Sequence, residues 1–218
     1  MVKLNVLIAG VGGQGVVLAS DILADVALEA GLDVKKTDTL GMAQRGGGVI
    51  TQVRIGEKVA SPLIGANDAD LLLAFEKLES ARWADYLKEG ATVVLNDYSA
   101  PPLSVSQGTE PYPGDSELIH VLKHRGADVI VIQGSLHAAE MGNPKILNIL
   151  MLGALSMLTP FNPELWTEAI SKRLPTKITD INLRAFQRGR KDLLSILAEM
   201  PGEAGRKMES HGDDCGCH

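Results

Sequence analysis

The apolar run Leu4-Asn5-Val6-Leu7-Ile8 leads directly into Ala9-Gly10-Val11-Gly12-Gly13-Gln14-Gly15-Val16, an order that writes strand, tight turn and helix at the start of the chain. Gly10, Gly12 and Gly15 keep the G-x-G-x-x-G spacing. Glycines so spaced permit a sharp turn, close backbone approach to a ligand and tight packing of helix on strand. The first turn of a helix has no intrahelical acceptors for its N–H groups, and the helix dipole adds partial positive charge there. A phosphate or carboxylate is the natural guest. The same glycines also suit an unliganded strand-helix turn, so the spacing alone leaves binding and plain structure both open.

After the turn, Val16, Val17, Ala19, Ile22, Leu23, Val26 and Ala27 recur at spacings of three and four, predicting a helix that ends near Gly31. Residues 32–37 form a second strand, and a strand-helix-strand unit of this length predicts a right-handed parallel crossover. A nicotinamide-binding domain places an acidic residue at the end of that strand for the ribose hydroxyls; Asp38 is the candidate, and Asp33 is less well placed. Asp38, however, opens into Thr39-Leu40-Gly41-Met42-Ala43-Gln44-Arg45-Gly46-Gly47-Gly48, a second glycine-rich loop outside the dinucleotide pattern. Consecutive glycines free the backbone to form an anion-binding nest, Arg45 can fork two hydrogen bonds onto an oxyanion, and Thr39 and Gln44 can orient polar atoms. The alternative is a flexible connection with Arg45 in solvent.

Gly10-x-Gly12-Gly13-Gln14-Gly15 followed by Gly41-Met42-Ala43-Gln44-Arg45-Gly46-Gly47 resembles the gamma-type domain of the 2-oxoacid:ferredoxin oxidoreductases, on the side of the indolepyruvate enzymes. The resemblance runs over residues 1–195 in order of elements, and these two motifs are its specific part. It implies an accessory subunit, inactive alone, of an enzyme that oxidatively decarboxylates an aryl 2-oxoacid to acyl-CoA and reduces ferredoxin. Thiamine diphosphate and [4Fe–4S] clusters are then expected on a larger partner subunit, with coenzyme A as a shared-site ligand and no cofactor held firmly by this chain. The residues expected at that site are Gly10, Gly12, Gly13, Gln14 and Gly15 in the first loop and Thr39, Gln44, Arg45, Gly46 and Gly47 in the second. They would make phosphate contacts; none is expected to make or break bonds.

Downstream, residues 49–55 alternate apolar and polar, Gly56-Glu57 supplies a turn, and residues 58–64 can return as a partner strand, with Ser61-Pro62 placing that return at a sheet edge. Asp70 to Phe75 is a compact apolar strand, Glu76 through Leu87 a helix stopped by Gly90, and Ala91 to Leu95 the next strand. Asn96 and Asp97 follow, where open α/β sheets place ligand contacts, although turn chemistry explains them equally well. Pro101, Pro102, Pro111 and Pro113 stiffen a long connection, after which Asp115 or Ser116 caps a helix to about Arg125. Asp128 to Gln133 is another short strand.

Asn143-Pro144 starts a helix, and Ile146 to Leu158 is apolar almost all round. That run falls short of the roughly 20 residues of a membrane span, so it belongs inside the domain or against another subunit. Asn162-Pro163-Glu164 and Pro175 set off two further helices. Their basic residues Lys172, Arg173, Lys177, Arg184, Arg188, Arg190 and Lys191 read as a solvated face. Together these elements predict an α/β fold, Rossmann-like and doubly wound, with a mostly parallel sheet, an antiparallel hairpin extension and C-terminal helices.

A chain of 218 residues can bury one such core, so residues 1–200 are expected as a single gamma-type domain, with 201–218, rich in glycine and charge, as a disordered tail. The net charge of −6 argues against nucleic acid as a partner. No basic segment precedes a removable apolar core, and the two cysteines, Cys215 and Cys217, sit in the tail, so a reducing, cytoplasmic location is expected without membrane attachment. No metal site is expected: His120 and His124 share a helix face but lack further ligands, and Cys215-x-Cys217-His218 with His211 is too short for an iron-sulfur signature. His137 has no identifiable acid or nucleophile partner in the sequence. Two other classes stay open. A self-contained NAD(P)-dependent reductase would account for the first loop and Asp38, and a purely structural adaptor would account for the apolar helix and the missing catalytic groups.

Overall fold

In the computed structural model, which describes residues 2–40, 47–108 and 111–199, the opening apolar run forms β1 (Lys3–Val11), with Val6 to Gly10 buried. The glycine turn then starts α1 (Val16–Glu29), whose Ala19, Ile22, Leu23, Val26 and Ala27 face inward at the expected helical spacing. The remaining strands are β2 (Asp33–Leu40), β3 (Gly48–Gly56), β4 (Ala69–Ala74), β5 (Leu87–Asn96) and β6 (Asp128–Ile132). They make one six-stranded sheet in the order β2-β3-β1-β4-β5-β6. β1, β4, β5 and β6 run parallel, and β3 is antiparallel to both β1 and β2.

Three expectations are corrected here. β2 runs in the same direction as β1 but is not its neighbour, because β3 pairs along the whole of both, from Lys3↔Gly56 to Val11↔Gly48 and from Asp33↔Gly56 to Leu40↔Val49. The antiparallel hairpin is therefore β2-β3, and residues 58–64 are not a strand. Side chains of β3 occupy the backbone of that segment instead. Gln52 Oε1 accepts from Ile64 N at 2.7 Å, and Arg54 donates to the Leu63 carbonyl at 3.0 Å, leaving no free ladder for a returning strand. Finally, Gly90 does not stop a helix: α2 (Lys77–Arg82) gives way to a 3-10 turn at Ala84–Tyr86, and Gly90 lies inside β5 with φ +73°. There the β4-β5 register jumps between Ala69 and Leu71, an irregularity that the left-handed glycine accommodates.

The sheet separates two cores. On one face Val6, Ile8, Leu71, Leu73, Val94 and Ile130 pack under α1, α6 (Leu147–Ser156) and α8 (Thr176–Glu199), with α7 (Pro163–Arg173) against α1 and α8. On the other, Leu7, Ala9, Leu72, Ala74, Val93 and Leu95 meet Ala84, Leu122 and Ala127, beside α2 and α4 (Asp115–His124). α4 is not capped by Asp115 or Ser116; Gly114 is its cap residue, and Asp115 turns to Lys77. All ten residues of α6 are buried, so the all-round apolar run is accounted for within this chain. α6 and α8 cross at Gly153 and Gly189, where a Cβ on either would collide with the backbone carbonyl of Phe186 or Leu150. α5 (Gly134–Glu140) follows β6 directly, and α3 (Leu103–Ser106) is a single turn in the proline-rich connection. Among the described residues no helix is long and apolar enough to cross a membrane.

Candidate functional site

The carboxyl ends of β1, β4, β5 and β6 share one edge of the sheet with the start of β3, and the glycine turn closes over it. α1 leaves β1 toward one face and α2 leaves β4 toward the other, so the β1/β4 boundary is where the winding reverses. Open α/β sheets form ligand crevices at such reversals. Here the crevice floor is filled by Gln14. Its Oε1 accepts from Val11 N at 2.8 Å, and its Nε2 donates to the Phe75 carbonyl at 3.1 Å. Gly10 is required beneath it: a Cβ there would lie 2.7 Å from Gln14 Oε1 and 3.1 Å from Phe75 Cβ.

The Phe75 carbonyl also accepts from Asn96 Nδ2 at 3.0 Å, and Asn96 exchanges two hydrogen bonds with Ser135, at 2.9 and 3.0 Å. The ends of β1, β4 and β5 and the start of α5 are thus tied by one chain of amides. Above this floor the turn stays open. Gly13 (φ +100°) is exposed with free space on its Cβ side, and Gly15 (φ +81°) precedes α1 without any side-chain cap. The first N–H groups of the helix therefore lack a side-chain acceptor where the dipole is positive.

The two glycine segments meet at their bases. Gly12 N donates to the Gly47 carbonyl at 3.0 Å, and Gly48 stands opposite Val11 in the β1-β3 register. Thr39, at the end of β2, pairs opposite Ile50 with its side chain exposed. Gln44, Arg45 and Gly46 lie outside the described residues.

Beside Gly48 sits Glu79, a buried carboxylate whose Oε2 a Cβ on Gly48 would strike. Burial pushes its pKa up; Arg82 at 2.8 Å opposes that shift and Glu76 adds to it. Glu76 is itself buried and fully used: it accepts from Glu79 N at 2.8 Å, Ala100 N at 3.0 Å and the Tyr112 hydroxyl at 2.5 Å. Burial, reinforced by Glu76, pushes the Tyr112 phenol up to about 12. Lys77 is buried between Asp97 at 2.5 Å and Asp115 at 2.7 Å. Burial disfavours its charge, but the two carboxylates outweigh it and hold the ammonium above its usual range. Asp97 is thus an ion-pair partner of Lys77.

Other candidates are used elsewhere. Asp38 accepts from Thr51 Oγ1 at 2.7 Å and pairs with Lys36 at 3.1 Å, on a strand that β3 separates from β1. Its place differs from that of a ribose-binding acid, which needs the strand next to the glycine turn. His120 and His124 are exposed with ring centroids 6.1 Å apart, and no group of three potential metal-ligating side chains occurs among the described residues. His137 does have a partner: its Nδ1 lies 2.7 Å from Asp192 Oδ2, whose other oxygen accepts from Arg188. Much of the basic C-terminal set is engaged within the chain, Arg173 on Asp21 and Asp25 and Lys172 on Glu29. Lys77, Glu79 and Asn148 are the site-edge residues that sequence reasoning missed; the one signal was a polar side chain, Asn148, interrupting an apolar run.

The arrangement can hold an oxyanion on neutral donors, beside a partly shielded acidic group. Residues 5–191 match the family model described as pyruvate ferredoxin/flavodoxin oxidoreductase. The chain is similar to indolepyruvate oxidoreductase subunit IorB of Archaeoglobus fulgidus, 40% identical over 197 residues, covering 88% of this chain and 96% of the relative. Its fold is similar to that of the gamma subunit of a keto/oxoacid ferredoxin oxidoreductase from Geobacter sulfurreducens, with TM-score 0.66 and 24% identity over 88% of this chain and 99% of that one. It is likewise similar to 2-oxoglutarate:ferredoxin oxidoreductase from Magnetococcus marinus with 2-oxoglutarate, coenzyme A and succinyl-CoA bound, with TM-score 0.70 and 24% identity, covering 91% of this chain and 32% of that one.

Proposed function

The chain belongs to the pyruvate ferredoxin/flavodoxin oxidoreductase family, and we propose that it is the accessory subunit of an enzyme that oxidatively decarboxylates an aryl 2-oxoacid of the indolepyruvate kind to acyl-CoA. On this reading residues 1–200 are one gamma-type domain, thiamine diphosphate and [4Fe–4S] clusters belong to a larger partner subunit, and ferredoxin takes the electrons from the assembled complex. The substrate follows the name of the Archaeoglobus relative.

The observation that carries the proposal is the junction of the two glycine segments, Gly12 N on the Gly47 carbonyl, at the carboxyl edge of the sheet beside an uncapped helix start. Coenzyme A, rich in phosphoryl oxygens, suits the N–H groups of Gly13 and of residues 15–17, the Gln14 N–H being given to the Val11 carbonyl, and on this reading Thr39, Gln44, Arg45, Gly46 and Gly47 contribute from the second loop. Gln14 acts beneath the ligand, holding the turn to β4, and Gly10 gives it room. Bound coenzyme A would supply the thiol that accepts the acyl group; this chain positions its phosphates and adds surface to a shared site.

The test combines the chain with its large partner. Oxidation of the 2-oxoacid with a ferredoxin-like acceptor should appear only in the assembled enzyme, and activity of the purified chain alone would overturn the proposal. Coenzyme A should raise the melting temperature of the assembled enzyme more than NADH does, and Arg45→Ala should weaken that rise. The reverse ranking would favour a reductase. A melting temperature indifferent to both, together with activity restored by the chain, would leave a structural adaptor.

A further inference from the structure

Asn148 is 4% exposed, in the first turn of α6, yet it reaches the ligand turn: its amide packs on Gly15 so closely that a Cβ there would strike Nδ2. The orientation of the amide is set by the protein, because Oδ1 accepts from Ile149 N at 2.9 Å, which leaves Nδ2 toward Gly15. Among the described residues Nδ2 has no hydrogen-bond partner. The fully buried side-chain donor without a partner among the described residues is Trp166 Nε1, so Asn148 Nδ2 keeps access to solvent and its donor capacity is open to a ligand at Gly15. Gly15 is the residue preceding α1, a fourteen-residue helix with no side-chain cap and no acidic residue in its first turn. An unmatched amide donor and an uncapped helix start thus open onto the same point.

We propose that Asn148 Nδ2 donates directly to a phosphoryl oxygen of an anion bound at the N-terminus of α1. This rests on the reading that the first glycine turn takes a phosphorylated ligand, and it names the side chain that completes the turn. The donors gathered there among the described residues are neutral, backbone N–H groups from the turn and one carboxamide, with Arg45 of the second loop lying outside the described residues. Lys77, a described cation on this edge, is already held by Asp97 and Asp115. A site of this make-up recognises phosphoryl oxygens by hydrogen-bond geometry, and a carboxylate placed at position 148 would repel them.

Asn148→Asp separates ligand binding from folding. The carboxylate still accepts from Ile149 N and adds an acidic group to the first turn of α6, which the helix dipole favours. Burying that charge costs some stability, so in the assembled enzyme without ligand the variant should melt below wild type yet still unfold in one cooperative step. Calorimetric titration should show inorganic pyrophosphate and coenzyme A binding at least tenfold more weakly than to wild type, and Asn148→Ser, too short to reach the ligand, should weaken both without adding charge. Weakening of both probes assigns the contact to phosphoryl groups in general, and weakening of coenzyme A alone, with pyrophosphate bound by neither protein, assigns it to the nucleotide. If wild type binds and both variants bind within twofold of it, Asn148 is no ligand contact while the glycine-turn site stands. If wild type binds neither probe, the inference and the anion reading of the turn fall together.

Discussion

Gln14 uses both ends of its amide inside the protein, bridging Val11 N and the Phe75 carbonyl. Gln14→Met keeps the volume and removes both hydrogen bonds, so it should lower unfolding free energy by about 1–3 kcal/mol, read as a shift in the urea midpoint. Glu79 gives a pH-dependent prediction. Because burial raises its pKa in the folded state above that of a free glutamate, the folded protein holds the proton to higher pH than the unfolded chain does. Its contribution to stability is therefore present below the unfolded pKa and is lost as pH rises through the folded one. Glu79→Gln should gain stability relative to wild type as pH climbs through that window, and parallel stability curves for the two proteins across it would refute the assignment. Residues of this kind show how far sequence reaches. The glycines at 10, 12, 13 and 15 announce themselves by spacing, whereas the amide of Asn148 acquires meaning only when α6 is laid against the turn.

At the scale of elements, the crossing of α6 and α8 is the tightest demand. Gly189→Ala places a methyl group against the Leu150 carbonyl oxygen, where helix backbones and not pliable side chains would have to move apart. The change should destabilise by about 3 kcal/mol or more, despite alanine's better helix propensity, and a rise in melting temperature would show the helices free to separate. The periodicity of α1, the apolar strands β1, β4 and β6 and the Pro-marked starts of α7 and of the 3-10 turn Pro144–Ile146 that leads into α6 are readable because each depends on its own residues. The strand order was not. Residues 58–64 have strand-like composition, but Gln52 and Arg54 take up their backbone groups, and β3 instead enters between β1 and β2. Gly90 likewise reads as a helix stop in sequence and serves a register jump in the sheet. Pairing between distant segments decided each case, and local pattern carries little of that information. The His137–Asp192 contact was hidden for the same reason, its members lying on α5 and α8.

For the whole molecule, the sheet sets a gradient of protection. β1, β4 and β5 have neighbours on both sides and cores on both faces, while β2 and β6 are the edges. Amide hydrogen exchange should accordingly be slowest in β1, β4 and β5 and faster in β2 and β6; uniform rates across the sheet would contradict that layering. The position of α6 in the chain has a further consequence, for biosynthesis. A nascent polypeptide that ends before Leu147 already contains all the described strands, yet the layer of α6, α7 and α8 that closes one face, and the carboxamide packed on Gly15, are still to be translated. The ribosome therefore delivers the glycine turn first and the helix that packs on it last, and a chain released early would expose an apolar sheet in place of a finished domain.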